Sequence, residues 1–268
     1  TAIGLRLECF RHIIEILRDN NKEYALLISE EMGKPFKQAK VEIEKCIFLC
    51  EYYAENGNKF LSDKKIKIEG QKSFITKQPI GLILGVMPWN FPFWQVFRFA
   101  IPAILSGNGA IMKHASNVQG CANAIESCFH EAGFPKDIFR NLAIVGKNVS
   151  KIIYNPMIKA VTITGSTPAG KAVAESAGKV LKKTVLELGG SDPYLILDDA
   201  NIDLAVRSCI AGRILNTGQS CIAAKRIIVT KKIYDRFLKK IDEKLSDKIM
   251  GDPLDDVDIG PMVSIQAR

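Results

Sequence analysis

The 268-residue chain is 47% hydrophobic and 25% charged, a globular composition with enough apolar residues to fill one or two cores. Its formal charge of +8 comes from 37 basic and 29 acidic residues, but the lysines lie scattered or in short mixed runs (Lys64-Lys65, Lys182-Lys183, Lys231-Lys232), which argues against a nucleic-acid surface. The longest apolar stretch, Ile80 to Trp94, is broken by Asn90 and two prolines and is too short to cross a bilayer, while seven cysteines without CxxC spacing point away from disulfides or zinc and toward a reducing, cytoplasmic setting.

Residues 1–57 read as two amphipathic helices. Leu5, Cys9, Ile13, Ile16 and Leu17, then Val41, Ile43, Ile47 and Cys50, recur at three-to-four spacing, and Gly33-Lys34-Pro35 interrupts them. His12 and His130 fall in helical patterns and read as surface or packing residues. The alternation in Lys65-Ile66-Lys67-Ile68 and Ser73-Phe74-Ile75-Thr76 predicts exposed strands, expected to extend another sheet. From residue 80 the pattern changes. Short apolar runs at Ile80–Met87, Ala110–Lys113, Leu142–Val145 and Ala160–Thr164 alternate with helical patterns over 93–106, 117–132 and 147–154. That is a βαβ series, which predicts an α/β fold with a Rossmann-like parallel sheet and its ligand at the carboxyl ends of the strands. A helix over 168–179, strands near 183–188 and 193–197, a helix over 201–215, a strand over 225–230 and a helix over 232–247 complete the prediction.

The usual glycine fingerprint for a dinucleotide is missing. Gly107-Asn108-Gly109 begins one, but Met112 stands where the third glycine belongs. Gly165-Ser166-Thr167-Pro168-Ala169-Gly170-Lys171 has the spacing of a phosphate-binding P-loop, yet it runs into Ala172 in place of the magnesium-binding hydroxyl. Pro168 suits the first turn of a helix, so the better reading is a strand opening into a helix N-terminus, with Ser166 and free amides placed for a pyrophosphate.

Two stretches carry candidate chemistry. Cys221 follows Gly218, Gln219 and Ser220 in a polar turn between a helical and a strand pattern, which suits a working thiol, although an inert loop cysteine has the same spacing. Upstream, Val185-Leu186-Glu187-Leu188-Gly189-Gly190 ends a strand-like run in a lone carboxylate, a candidate base.

Taken with Pro88-Trp89-Asn90-Phe91-Pro92 and Thr164-Gly165-Ser166, these stretches resemble, in this order, the aldehyde dehydrogenase superfamily over essentially the whole chain. Lys113-His114-Ala115 is most similar to the succinate-semialdehyde branch. The resemblance implies that Cys221 attacks the aldehyde, that the Asn90 side chain and the Cys221 backbone amide hold the oxyanion, and that Glu187 activates the water that clears the thioester. It places NAD or NADP against Trp89, Lys113, Ser116, Gly165, Ser166 and Leu188, with no metal. Many NAD-preferring relatives carry a glutamate where this chain has Ser116, so either cofactor is open. For Arg98, on a helical pattern between Phe97 and Phe99, the resemblance to the succinate-semialdehyde branch implies recognition of a distal carboxylate; a solvated helix arginine is the plainer alternative. Ala223 stands where some semialdehyde enzymes carry a redox-switch cysteine.

On the same resemblance, residues 1–186 form an NAD(P)-binding domain with part of an oligomerisation arm and residues 187–268 begin a catalytic domain, in a protein that assembles as a homodimer or homotetramer. The ends at Thr1 and Arg268 suggest a C-terminally incomplete chain. A general aldehyde dehydrogenase, or a non-catalytic nucleotide-binding fragment, stands as the alternative.

Overall fold

The computed structural model describes residues 2–268. Three helices form its first layer: α1 (Ile3–Asp19), α2 (Asn21–Met32) and α3 (Phe36–Leu61). The sequence pattern predicts two. The extra break falls at Asn20, whose side-chain amide turns back to donate to the Ile16 carbonyl at 2.9 Å and ends α1. Gly33 ends α2 in the left-handed region at φ 76°, and a Cβ there would lie 2.8 Å from Pro261, so glycine answers both the turn and the close approach.

The strands β1 (Lys64–Ile68) and β2 (Gln71–Ile75) pair antiparallel with each other in a two-stranded ribbon, not with another sheet as the alternation suggested. The central sheet is parallel throughout. It contains β3 (Leu82–Val86), β4 (Gly109–Lys113), β5 (Phe139–Asn141), β6 (Ile158–Thr164) and β7 (Lys183–Glu187), in the order β5-β4-β3-β6-β7. β5 lies three residues earlier than the apolar run predicted, because Phe139 anchors it by stacking on Phe129 at 4.5 Å while Leu142–Val145 runs on past the strand.

α4 (Trp94–Leu105) and α5 (Gln119–Glu131) pack between the sheet and α1–α3, in a core that includes Phe10, Ile13, Leu17, Phe93, Phe97 and Phe129. On the other face α6 (Val149–Tyr154) and α7 (Thr167–Gly178) enclose a smaller core around Leu84, Val161, Ile163 and Val173. Because β4 and β5 lie on one side of β3, and β6 and β7 on the other, the chain reverses direction at β3 and opens a crevice at the carboxyl ends of the strands. Gly107-Asn108-Gly109 sits at the opposite edge, where Asn108 Oδ1 accepts the backbone amides of Ile80 and Gly81; those glycines face no such crevice.

The last third has a core of its own. β8 (Pro193–Ile196) and β9 (Arg226–Val229) form a separate two-stranded parallel sheet, backed by α8 (Ile202–Ile214) and α9 (Tyr234–Ser246) through Ile202, Val206, Ile210, Phe237 and Ile241. The segment 252–263 then returns across the start of α3, where Phe36 donates its amide to Pro253 O at 2.8 Å and Lys37 pairs with Asp256. Among the described residues, no helix is long and apolar enough to cross a membrane, and no histidine, cysteine and carboxylate cluster is spaced to hold a metal.

Candidate active site

The register of the parallel sheet gathers the predicted residues along one edge. Val86 lies beside Lys113 on one side and Ile163 on the other, and Thr164 lies beside Glu187. The edge is tied just past the strand ends, where Met87 donates its amide to Lys113 O and Gly165 donates to Glu187 O, each at 3.0 Å. Four neighbouring strands at about 4.8 Å spacing therefore present Lys113 and Glu187 roughly 14 Å apart, a span suited to an elongated ligand.

After β3, the loop carrying Trp89 and Asn90 meets the cysteine turn. Asn90 Nδ2 donates to Gln219 O at 2.9 Å, and Asn216 Nδ2 donates back to Asn90 O at 2.7 Å. An amide nitrogen carries two hydrogens, so one Asn90 hydrogen is anchored and the second is left for a ligand. The turn itself is an unusual piece of backbone: Asn216, Thr217 and Gly218 take φ of 55°, 57° and 74° in succession. Non-glycine residues there cost on the order of 1–3 kcal/mol each and persist only where surrounding contacts over-determine them. Those contacts are present. Asn216 is fully buried, its amide donates to Gln38 Oε1 at 2.7 Å, and Gln219 Oε1 accepts from Val263 N at 2.9 Å. Two residues later Cys221 stands exposed at the turn, whereas the other six cysteines are buried. Burial pushes all six of those thiols up, Cys128 to about 12, and so holds them protonated near neutrality.

Two further side chains fasten the Asn90 loop. Glu42, on α3, accepts the Phe93 and Trp94 amides on Oε1 at 2.9 and 3.0 Å, and pairs through Oε2 with Lys34, whose ammonium lies 4.0 Å over the Phe91 ring. Burial pushes the Lys34 ammonium down, opposed by Glu42. His114 is fully buried just past β4, with its Nδ1 2.9 Å from Ala115 N and 3.3 Å from Met87 O and its Nε2 3.0 Å from Pro92 O. Burial pushes its pKa down to about 4, so the ring is neutral and links the second strand to the Asn90 loop.

The predicted cofactor residues line the same edge. Lys113 is half-buried, and burial lowers its pKa with no carboxylate raising it. Ser116 lies exposed in the turn that follows. Ser166 caps α7 by accepting Ala169 N at 3.4 Å, and with Gly165 before it and Pro168 in the first turn, β6 runs into a helix N-terminus here. Leu188 packs on α7 where Gly170 leaves room, since a Cβ there would come within 2.4 Å of Leu188 Cδ2. Trp89 is partly buried against the α1–α5 core.

Arg98 and Glu187, given separate roles on sequence grounds, face each other at 3.5 Å with side chains 41% and 53% exposed. Both border a cavity of about 330 Å³ beside α4, β6 and β7, together with Gln95, Phe99, Thr164 and Val185. Sequence reasoning overlooked Gln38, Glu42 and Asn216. Two of them left a trace: Glu42 is an acid on the buried stripe of α3 beside Ala39, Ile43 and Cys46, and Asn216 opens a run of turn-forming residues ahead of the cysteine.

Residues 1–268 match the aldehyde dehydrogenase family. The chain is 46% identical over 260 residues to a probable succinate-semialdehyde dehydrogenase [NADP(+)] of Synechocystis, covering 97% of this chain and 57% of that protein. It is 45% identical to the succinate semialdehyde dehydrogenase [NAD(P)+] Sad of Escherichia coli, covering 100% of this chain and 58% of that one. The structure of a succinic semialdehyde dehydrogenase from Streptococcus pyogenes in complex with NADP+ superposes with a TM-score of 0.96 at 36% identity, over 98% of this chain and 58% of that chain. The chain thus spans somewhat over half the length of the relatives it matches.

Proposed function

Because this chain belongs to the aldehyde dehydrogenase family, we propose that the protein carrying it oxidises aldehydes bearing a distal carboxylate, succinate semialdehyde foremost, to the corresponding acid with NADP+ or NAD+. The observation that carries the chemistry is the tether between Asn90 and the turn presenting Cys221, the one exposed thiol. In this reading the Cys221 thiolate adds to the aldehyde carbon, and the resulting oxyanion is held by the free hydrogen of Asn90 Nδ2 and the Cys221 backbone amide. The bound nicotinamide supplies a hydride acceptor. Glu187 then takes a proton from water, the hydroxide adds to the Cys221 thioester, and the acid leaves as the thiol re-forms.

Lys113, Ser116, Gly165, Ser166 and Leu188 are the residues we assign to the dinucleotide, with Trp89 beside it. The half-buried Lys113 cation and the open N-terminus of α7 fit its hydroxyls and phosphates. Ser116 leaves a 2′-phosphate unopposed, in keeping with the NADP+ in the names of the relatives. Residues 1–186 are read as the cofactor unit and 187–268 as the start of the thiol-bearing unit, consistent with their separate cores. The exposed Ile66, Ile68, Phe74 and Ile75 on the β1–β2 ribbon are assigned to assembly as a homodimer or homotetramer. Six buried free thiols suit a reducing, cytoplasmic setting.

Arg98 carries the substrate assignment. A planar guanidinium binds a carboxylate through paired charge-assisted hydrogen bonds, and a neutral aldehyde offers it nothing. Arg98 pairs with Glu187, so a substrate carboxylate drawing Arg98 away also frees Glu187 to act on water. The test compares kcat/KM for succinate semialdehyde and butanal in the parent and in Arg98→Leu. The expected result is a strong parent preference for the semialdehyde that Arg98→Leu removes by about tenfold or more. Equal loss on both aldehydes, or a parent preference for butanal, returns the protein to a general aldehyde dehydrogenase.

A further inference from the structure

The groups assigned to oxyanion binding sit on two separate loops, and both loops are fastened to one face of a helix outside the sheet. Gln38 and Glu42 lie one turn apart on α3, the spacing at which side chains share a helix face. Gln38 Oε1 accepts the Asn216 amide at 2.7 Å, while its Nε2 donates to Asp258 O at 3.3 Å, so the orientation of this side chain is set from both ends. Asn216, held in its left-handed conformation, reaches Asn90 O at 2.7 Å and Gln219 O at 3.3 Å. Glu42 reaches the other loop. Its Oε1 accepts the amide of Phe93, the residue that caps α4, and the first amide of the helix itself, at Trp94, and Phe93 offers no side-chain cap of its own. A carboxylate at a helix N-terminus is favoured by the helix dipole as well as by the hydrogen bonds. Lys34 compensates its charge from a side chain that is 1% exposed.

A buried ion pair is weak grounds for stability, since apolar residues of similar volume often fill such a site as well. What apolar residues cannot do is accept two backbone amides and so fix where α4 begins, four residues after Asn90. We propose that Gln38 and Glu42 are positioning residues of the oxyanion hole, setting from one helix face the distance between the Asn90 side chain and the Cys221 amide. The proposal rests on the reading above in which those two groups hold the oxyanion. Neither side chain touches substrate. Their effect is on geometry, where a displacement of about 1 Å costs on the order of 100-fold in rate.

The experiment uses the protein that carries this chain, with Gln38→Met, Gln38→Glu, and the pairs Lys34→Met/Glu42→Leu and Lys34→Met/Glu42→Gln. Two quantities are read: the first-turnover rate of NADPH formation from succinate semialdehyde, and the fraction of chains alkylated at Cys221 but at none of the six buried cysteines, which counts folded, competent sites. Gln38→Met and the Leu pair are expected to slow the first turnover by about 10- to 100-fold, with the alkylated fraction and the aldehyde KM unchanged. The Gln pair keeps its acceptor oxygen and is expected to recover most of the rate, while Gln38→Glu keeps the acceptor for Asn216 but loses the donor to Asp258 O and is expected to recover part of it. Parent-like first turnover in Gln38→Met and the Leu pair overturns the proposal, as does an equal loss in the variants that keep the acceptor, or a loss explained by fewer alkylated chains. Asn90→Ala separates the two levels: a parent-like rate there overturns the oxyanion reading and this proposal with it, whereas a crippled Asn90→Ala beside an unaffected Gln38→Met overturns this proposal alone.

Discussion

Cys221 is set apart from the other cysteines by water. Desolvation raises the pKa of the six buried thiols, leaving too little thiolate for alkylation near neutral pH, while Cys221 is open to solvent in a turn. Limited iodoacetamide followed by mass spectrometry is expected to label Cys221 first; slower or equal labelling there would remove its assignment as nucleophile. His114 yields a second prediction at this scale. Its folded pKa of about 4 lies below the unfolded value of about 6.5, so the unfolded chain binds the extra proton and stability falls as pH drops through that window. The loss between pH 7 and pH 5 is about 2 kcal/mol. The urea midpoint should therefore drop over this range in the parent and stay nearly flat in His114→Gln, and parallel pH profiles would show that the ring is not held neutral. Cys221, Glu187 and Asn90 could be singled out in the sequence because each stands in a short run that resembles the family, and their roles are those proposed above. Gln38 and Asn216 could not, because their importance is a hydrogen bond across 178 positions of sequence.

Elements were legible where one face is buried. β3, β4, β6 and the helices between them follow their apolar runs to within a few residues, since both faces of a central parallel strand are covered. The misses fall at the margins: β5 is an edge strand fixed by the single aromatic Phe139, and the break between α1 and α2 depends on the local hydrogen bond of Asn20. α7 provides a test of how an element meets the site. Where the backbone already suits a side chain, Gly→Ala gains about 0.4–1 kcal/mol, and Gly178, the last residue of α7, with nothing within 4 Å of its would-be Cβ, should follow that rule. Gly170→Ala should reverse the sign, costing about 1–3 kcal/mol, because its methyl group would press on Leu188 at 2.4 Å. If Leu188 contacts the dinucleotide, KM for NADP+ rises in Gly170→Ala and not in Gly178→Ala. Equal thermal shifts in the two variants would mean that α7 and Leu188 are not in close register.

At the scale of the molecule, the two ends of the proposed reaction centre belong to cores of very different size. The core around α1–α5 gathers 34 buried apolar residues, and the one behind β8 and β9 gathers eight. A two-stranded sheet is marginal by itself, and here Leu195 and Ile228 are 64% and 50% exposed on it. What holds the Cys221 turn in place is therefore borrowed from the larger core, through the Gln38–Asn216 and Asn90–Gln219 bonds and the returning segment 252–263. Opening free energies should then fall into two tiers. Native-state amide exchange on the 268-residue chain is expected to show α3, α5 and β4 exchanging only through the highest-energy opening, with α8, α9, β8 and β9 exchanging together through a lower one. Because the turn is fastened to the larger core, the Gln219 and Asn216 amides should join the upper tier even though they follow α8 in sequence. Protection that is uniform across both cores, or a turn that opens with α8, would mean that the cysteine loop is carried by its own small core and that the α3 tethers contribute little to holding it.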